Sequence, residues 1–232
     1  VPADARWPLM RKIVDRLGYH PVSNLTPFHT GHPYGPEGYK TIAFELYRQL
    51  NNRVPAAVFV PTGYAELLFG AWKGFHELRL LGVTSPVPRM IACEPAARGP
   101  LSHALATNQP AVQVAAEHTA ASGIAVRVNG YRGVVAVRQS GGEALRLPDP
   151  EIEVAQAALA RTGLWGEMSA AAGLAGIRQA VSNGEQFDGP VVAIATSSGF
   201  KDDGVGQQPI PVVAPEWDAV ATTLTTRYGI NV

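Results

Sequence analysis

The sequence predicts an α/β fold in which a doubly wound, mostly parallel sheet carries helices on both faces. Two observations favour this class. Residues 56–60, 89–95 and 191–195 are largely or wholly apolar, as expected of strands that are buried on both sides in a parallel sheet. Helical patterns separate these runs, and strands that alternate with helices are typical of sheets that bind ligands beyond the carboxyl ends of their strands.

The first fifth of the chain is expected to be two helices joined by a loop. Residues 7–18 and 41–50 have helical patterns, whereas residues 20–38 contain four prolines with glycines between them. His29 and His32 lie close together in this loop, but no third ligand is near them in the sequence. We therefore predict a packing or exposed role for both histidines and no metal site.

The central stretch, AAVFVPTGYAELLFGAWKGF at residues 56–75, predicts a strand, a tight turn and a helix. Pro61 ends the strand because proline donates no ladder hydrogen bond, and Gly63 permits the turn. From Glu66 onward, apolar residues recur at the three- and four-residue spacing of one helix face.

The rest of the chain continues the alternation. Its segments are a strand RMIACEP (89–95), a short helix LSHALATN (101–108), an apolar, β-branched run VVAVR (134–138), a helix at 149–163, a helix at 169–184, a strand VVAIA (191–195) and a helix at 214–229.

Two strand ends in this pattern carry groups suited to ligand binding, at residues 63–66 and 196–199. A strand, a glycine turn and a helix direct free backbone N–H groups and the positive end of a helix dipole at one point, which suits a phosphate. The same pattern also occurs as a plain strand-to-helix connection with nothing bound, so the residues alone leave both interpretations open.

Composition excludes several classes of function. Nineteen basic residues balance 19 acidic ones, so no net charge favours nucleic acid or an anionic membrane. No apolar run approaches the length of a membrane span, and the first ten residues do not resemble a signal peptide. Cys93 is the single cysteine and lies in a predicted strand, so we interpret it as a core residue in a reducing, cytoplasmic setting.

Several blocks, in this order, resemble the pyridoxal-phosphate enzymes of fold type II, nearest to the threonine synthases. They are GPEGYKTIAFEL (35–46), similar to EGYKTIAFE; VPTGYAELLFGAWKGF (60–75), similar to VPxGNGGNxxxxWKGF; GLWGEMSAAAGLAG (163–176), similar to GxxxEPSSAAxLAG; and TSSGFKD (196–202), similar to TGxGLKD. The resemblance implies the large cofactor domain of these enzymes, with pyridoxal phosphate as cofactor.

The resemblance also assigns candidate site residues. The turn formed by Gly63, Tyr64, Ala65, Glu66 and Leu67 occupies the family's phosphate-binding position. Thr196 occupies the position that hydrogen-bonds the pyridine nitrogen, where a neutral hydroxyl suits elimination and replacement chemistry. From the residues alone, Thr196 would instead end a strand and satisfy local backbone groups.

Two departures from the family pattern matter. Glu66 places a carboxylate where a phosphate is expected; we expect it to point outward and cap the following helix. The family forms its Schiff base through a lysine in a block similar to SFKDxG, and none of the four lysines of the sequence lies in such a block. We therefore predict no catalytic residue within this chain.

From this pattern we expect residues 1–50 to be the remnant of a small domain with its linker, and residues 51–232 to be the cofactor domain. The predicted function is one part of a threonine synthase-like lyase acting on a hydroxy- or phosphohydroxy-amino acid. Its expected partners are an amino-acid substrate, the missing N-terminal half as a separate chain and further copies in a homo- or hetero-oligomer. His103, Glu117 and His118 are additional polar candidates, although a surface position explains them more simply.

Two other functions compete with this prediction. The altered turn GYAEL is compatible with a non-catalytic binding or scaffold protein that has lost the cofactor chemistry. A nicotinamide-dependent dehydrogenase is a weaker alternative, because Gly63 is not followed by the GxGxxG spacing that such enzymes use.

Overall fold

The computed structural model describes residues 5–22, 25, 34–202, 213–214 and 216–231. The chain divides into two compact units, Val1–Gly199 and Phe200–Val232. Among the described elements, all four strands and all helices but the last fall in the first unit.

The described elements follow one another in alternation after three initial helices. They are α1 (Arg6–Leu17), α2 (Gly35–Tyr39), α3 (Thr41–Gln49), β1 (Ala57–Pro61), α4 (Glu66–Leu80), β2 (Arg89–Pro95), α5 (Pro100–Ala106), α6 (Tyr131–Gln139), β3 (Glu143–Leu147), α7 (Asp149–Arg161), α8 (Ala172–Ser182), β4 (Val191–Ala193) and α9 (Trp217–Tyr228). Short 3-10 turns lie at Ser122–Ile124, Met168–Ala171 and Gly199–Lys201.

The sheet is entirely parallel, with the strand order β3-β2-β1-β4. Phe59 of β1 pairs with Ile91 of β2 on one side and with Ala193 of β4 on the other. Because all strands point the same way, the chain leaves every strand at the same edge of the sheet. The predicted parallel α/β class is confirmed.

Alternate residues of the central strands supply two separate cores. On one face, Val58, Val60, Met90 and Ala92 pack with residues of α3, α4, α5 and α6. On the other face, Phe59, Ile91 and Cys93 pack with residues of α7 and α8. The strict alternation of side chains along a strand therefore explains why helices cover both faces, as a doubly wound sheet requires.

The apolar, β-branched run at 134–138, to which the sequence assigns no element, lies within α6. Gly133, Val134, Ala136 and Val137 are buried, a three- and four-residue spacing that belongs to a helix face and not to a strand. The strand of this region is β3, which begins after a glycine pair. Gly142 passes so close to β2 that a Cβ there would lie 2.0 Å from the carbonyl oxygen of Met90.

Helices α2 and α3 pack directly on α4, through glycines that leave no room for a side chain. A Cβ at Gly70 would lie 2.4 Å from Cβ of Tyr39, and one at Gly74 would lie 2.3 Å from the carbonyl oxygen of Lys40. The prediction that residues 1–50 are the remnant of a small domain stays a prediction.

An alternating set of charges reinforces this helix contact. The Lys40 ammonium lies 2.8 Å from Glu37 and 3.0 Å from Glu77, and Lys73 lies 2.9 Å from Glu37 and also pairs with Glu77. Mutual pairing lowers the pKa values of both carboxyl groups and raises those of both ammonium groups.

Candidate functional site

The carboxyl ends of β1 and β4 bring the two predicted strand ends together. Phe59 and Ala193 are paired across the sheet, and each is followed three residues later by a threonine, Thr62 and Thr196. Thr62 is buried and donates its hydroxyl to the carbonyl oxygen of Val60 at 2.7 Å. The turn at 63–67 and the segment at 196–199 therefore begin side by side at one edge of the sheet.

The turn leaves a run of backbone donors open. Ala65 has a left-handed backbone (φ 68°, ψ 20°) and precedes the first residue of α4 without a side-chain cap. Among the described residues, no acceptor is found for the N–H groups of residues 63–68. Free N–H groups at the start of the 15-residue helix α4, together with its dipole, form the kind of site that binds a phosphate.

A second segment, residues 123–126, lies against Gly63. A Cβ at Gly63 would lie 3.3 Å from Cγ1 of Val126 and 3.6 Å from Cα of Ile124. Gly123 in turn donates its N–H to the hydroxyl of Ser169 at 2.8 Å. This segment forms a wall of the site that the sequence did not indicate.

A third segment, residues 166–169, joins the wall to the end of β4. The Glu167 N–H donates to the carbonyl oxygen of Ser197 at 3.0 Å, and Gly166 and Ser198 form an isolated antiparallel bridge. Glu167 and Ser169 are buried, with 5% and 2% of their surface exposed. A Cβ at Gly123 would lie 3.1 Å from the Glu167 carboxylate, so Glu167 belongs to the same wall.

Thr196 itself is exposed, and its hydroxyl has no hydrogen-bond partner in the described part of the chain. The structure therefore gives no support to the alternative in which the Thr196 hydroxyl only forms hydrogen bonds to the local backbone. A hydroxyl that is open at the edge of the sheet, next to the turn, is available to a ligand.

Glu66 turns toward α6 and α2. Its Oε1 lies 3.4 Å from Nη1 of Arg132 at the start of α6, and a Cβ at Gly35 would lie 3.7 Å from its carboxylate. Partial burial raises the pKa of the Glu66 carboxyl, and the positive charge of Arg132 opposes that rise. The carboxylate does not cap α4, and about a quarter of the side chain is exposed.

The two remaining residues of the predicted turn are partly buried. The Tyr64 hydroxyl accepts a hydrogen bond of 2.8 Å from Arg6 of α1, and Leu67 packs against the core on the α4 side of the sheet. The side chain of Ala65 is buried, and a Cβ at Gly133 of α6 would lie 2.7 Å from its methyl group. Helix α6 thus begins directly beside the turn.

Other polar candidates lie at the surface or at the end of the neighbouring strand β2. His103, Glu117 and His118 are exposed. Glu94 is fully buried at the end of β2, where its carboxylate accepts the N–H groups of Leu101 (2.9 Å) and Ser102 (2.8 Å) at the start of α5. Burial raises the pKa of the Glu94 carboxyl to about 7, and these hydrogen bonds limit the rise.

The sequence missed Gly123, Arg132, Glu167 and Ser169. Glu167 and Ser169 lie in the block 163–176, whose members receive no individual roles from the resemblance. Gly123 lies in the loop before α6, which has no regular pattern, and Arg132 lies in α6 itself. Cys93 is buried as predicted, and burial raises the pKa of its thiol, so it is a core residue.

No three His, Cys, Asp or Glu side chains within the described ranges gather as a metal site requires. His29 and His32 lie outside those ranges. None of the helices that could be searched is both long and apolar enough to pass through a bilayer.

A parallel α/β sheet with open backbone N–H groups at its carboxyl edge is typical of one class of cofactor-binding domain. Residues 5–197 match the family model described as pyridoxal-phosphate dependent enzyme. The chain belongs to this family, whose cofactor is pyridoxal phosphate.

Threonine synthases are among the similar proteins. Those of Methanosarcina acetivorans and Methanocaldococcus jannaschii are 36% and 34% identical over 120 residues, which is 50% of this chain and 30% of each relative. The match therefore spans less than a third of the length of these relatives.

Solved structures share the fold. The processed form of threonine deaminase isoform 2 from Solanum lycopersicum has 24% identity and a TM-score of 0.65, and the match covers 84% of this chain and 52% of that one. Serine racemase of Dictyostelium discoideum has 20% identity and a TM-score of 0.67, and the match covers 87% of this chain and 60% of that one.

Proposed function

We propose that this chain is the cofactor-binding part of a threonine synthase-like lyase. It would catalyse elimination or replacement on a hydroxy- or phosphohydroxy-amino acid. The observation that carries the proposal is the turn at residues 63–67, whose backbone donors are open at the sheet edge that also presents Thr196. The threonine synthase relatives support the reaction class.

The residues of the site suit two polar groups of the cofactor, its phosphate and its pyridine nitrogen. The N–H groups of residues 63–68 would hold the phosphate, and the Thr196 hydroxyl would face the pyridine nitrogen. When bound, the cofactor supplies an electron sink for the substrate's α-carbon. A neutral hydroxyl partner leaves the ring nitrogen largely unprotonated, which moderates that sink and suits elimination and replacement.

The wall of the site would orient the ring and exclude water. Ser169 holds Gly123 by a hydrogen bond, and the segment 123–126 covers Gly63. Glu167, buried behind Gly123, is the carboxyl group of the wall. Fixing these groups before a ligand arrives lowers the entropic cost of binding.

We further propose that the lysine required for the chemistry comes from a segment or partner chain beyond the four matched blocks. We also propose that the protein is a hetero- or homo-oligomer in the cytoplasm. Activity would then be measured on the chain mixed with its upstream segment, as phosphate released from a phosphohydroxy-amino acid or ammonia released from serine or threonine. A mixture that releases neither product would contradict the lyase assignment.

Cofactor binding tests the site in the chain as it stands. Thr196→Val removes the hydroxyl and keeps the shape, and we expect about fivefold weaker binding of pyridoxal phosphate, equivalent to one neutral hydrogen bond worth about 1 kcal/mol. Thr162→Val, at the end of α7, is a matched control because Thr162 is also exposed. Equilibrium dialysis measures both affinities.

Equal affinities of the Thr196→Val variant and the unmodified chain would overturn the role of Thr196. A complete lack of binding would favour the second candidate, a scaffold protein that has lost the cofactor. The specific observation behind that candidate is the Glu66 carboxylate beside the phosphate turn.

A further inference from the structure

The wall of the candidate site belongs to a long irregular stretch of chain. Residues 107–130 connect α5 to α6, and over this stretch, which the structure describes in full, the only helix or strand is the 3-10 turn Ser122–Ile124. Ile124 of this turn lies against Gly63 of the phosphate turn. Ordered connections longer than about 15 residues are uncommon and usually carry function. With little regular backbone pairing, the stretch depends on side chains to hold it in place.

Asp149, the first residue of α7, holds the chain just before the 3-10 turn. Its Oδ1 accepts the hydroxyl of Thr119 at 2.6 Å, and its Oδ2 accepts the N–H of Ala120 at 2.7 Å. Hydrogen bonds to a carboxylate are among the stronger ones in proteins. Helix α7 begins directly after β3, so this anchor stands on the sheet at its carboxyl edge.

Thr119 passes the constraint on to the wall. Only 6% of its surface is exposed, and its hydroxyl oxygen also accepts the N–H of Ala121 at 3.1 Å. Ala121 is fully buried, and its carbonyl oxygen accepts the N–H of Ile124 at 3.1 Å. A continuous series of hydrogen bonds therefore joins α7 to the residue that lies against Gly63.

Two further anchors hold the same stretch from other elements. Arg98, in the loop after β2, donates to the carbonyl oxygen of Glu117 at 2.8 Å and to that of Ala125. Ser169, just before α8, accepts the N–H of Gly123 at 2.8 Å. These contacts lie on both sides of the one made by Asp149. The wall is thus fixed before a ligand arrives, which lowers the entropic cost of binding.

We propose that Asp149 is a positioning residue for the ring of the cofactor: through Thr119 and Ala120 it keeps the segment 123–126 against the phosphate turn. The inference rests on the proposed function and extends it to a residue outside the site. The phosphate would be held by the N–H groups of residues 63–68, which Asp149 does not contact. Loss of the anchor should therefore weaken binding of the ring and leave binding of the phosphate alone unchanged.

The experiment compares the full chain with Thr119→Val, which removes the hydroxyl and keeps the shape of the side chain. One probe is pyridoxine 5′-phosphate, which has an alcohol in place of the cofactor's aldehyde and cannot react with lysines; the other is inorganic phosphate. We expect about tenfold weaker binding of the first, close to the lower limit for one hydrogen bond to a charged group, and unchanged binding of the second. Equilibrium dialysis measures the first affinity and a phosphorus NMR titration the second.

Three further variants separate positioning from a general loss of packing. Thr119→Ser keeps the hydroxyl and should restore the affinity for pyridoxine 5′-phosphate. Asp149→Ala removes both hydrogen bonds and should weaken binding at least as much as Thr119→Val. Ser140→Ala is the matched control, because the Ser140 hydroxyl accepts the N–H of Met90 at 3.1 Å and donates to the carbonyl oxygen of Val137 at 3.0 Å, at the opposite end of β2. It should change neither affinity.

Hydrogen exchange reports on the wall without any ligand. A segment that loses an anchor opens more often, so its backbone N–H groups exchange faster. In Thr119→Val we expect faster exchange over residues 120–126 and unchanged exchange in β1 and β2, measured by mass spectrometry.

Equal affinity of Thr119→Val and the unmodified chain for pyridoxine 5′-phosphate, or equal exchange over residues 120–126, would overturn the role of Asp149 and leave the cofactor site intact. Equal weakening of both probes would also overturn it, because the phosphate turn itself would then have changed. Thr119→Val keeps the test decisive if Asp149→Ala fails to fold. If no protein in the series binds pyridoxine 5′-phosphate, the proposed cofactor site is wrong, and the positioning role with it.

Discussion

At the scale of single residues, the carboxyl edge of the sheet concentrates buried polar groups. Thr62, Glu94, Glu167 and Ser169 are all buried, and each lies where a strand has just ended or beside such a point. Buried polar groups are costly unless they are hydrogen-bonded, so their grouping at one edge marks a part of the molecule that packing alone does not explain.

Glu94 should make stability depend on pH. Its pKa in the folded chain is about 7, above the ordinary carboxyl value of 4.5, because it is buried. The folded state therefore binds a proton more tightly than the unfolded state, and the free energy of unfolding falls as the pH rises from about 4.5 to 7. Glu94→Gln should reduce this fall, measured as urea unfolding at pH 5 and pH 8.

The size of the effect for Glu94 is at most about 3 kcal/mol, the equivalent of two to three pKa units. Glu153→Gln on α7 is a suitable control, because Glu153 is exposed and should leave the pH dependence unchanged. If the unmodified chain and Glu94→Gln lose the same free energy of unfolding between pH 5 and pH 8, the effect of burial on the Glu94 carboxyl is offset by its two backbone hydrogen bonds.

At this scale the sequence could predict which residues form the turn but not where Glu66 would point. The glycine after a strand and the acidic residue at a helix start are local signals. The partner of Glu66, Arg132, is 66 positions away in the chain, and no local pattern links the two. Such a long-range ion pair can be predicted only once the fold that brings the two residues together is known.

At the scale of elements, continuous apolar strands were predictable and short mixed runs were not. The strand predicted at 89–95 coincides with β2, because its burial on both faces leaves a nearly unbroken apolar run. Five residues at 134–138 are too few to distinguish a helix face from a strand, so the run gave no element prediction, and it lies in α6.

The contact of α2 and α3 with α4 predicts a strong effect of adding one methyl group. Gly74→Ala would place a Cβ 2.3 Å from the Lys40 carbonyl oxygen and 2.7 Å from Cβ of Ala43, and backbone atoms cannot move aside easily. We expect the free energy of unfolding to fall by about 1–3 kcal/mol through overpacking, despite the higher helix propensity of alanine. Chemical denaturation measures this change.

Gly38→Ala is the matched control for this element. Gly38 also lies in a helix, α2, but nothing lies within 4 Å of a Cβ at that position. The substitution should therefore be neutral or stabilise the chain by up to about 1 kcal/mol. Equal losses of stability in both variants would mean that the glycines of α4 do not set the distance between these helices.

At the scale of the whole molecule, the two units contribute unequally to the hydrophobic core. Both core clusters are composed of residues of Val1–Gly199, one on each face of the sheet. The described helix of Phe200–Val232, α9, has no buried residue. The sequence pattern did not separate these units, because α9 continues the same alternation of helices and strands that precedes it.

Deletion of residues 203–232 tests this division. The shortened chain keeps every strand that the structure describes, both core clusters and the four segments of the candidate site, so it should unfold in a single cooperative transition. We expect its midpoint within about 2–4 °C of the full chain, which corresponds to a change of roughly 1 kcal/mol for a domain of 150–250 residues. Thermal unfolding followed by near-ultraviolet circular dichroism measures the transition. A broad, non-cooperative transition would show that the cooperative fold needs residues beyond 202. An unchanged midpoint would show that the sheet and the helices that cover it account for the stability of the fold.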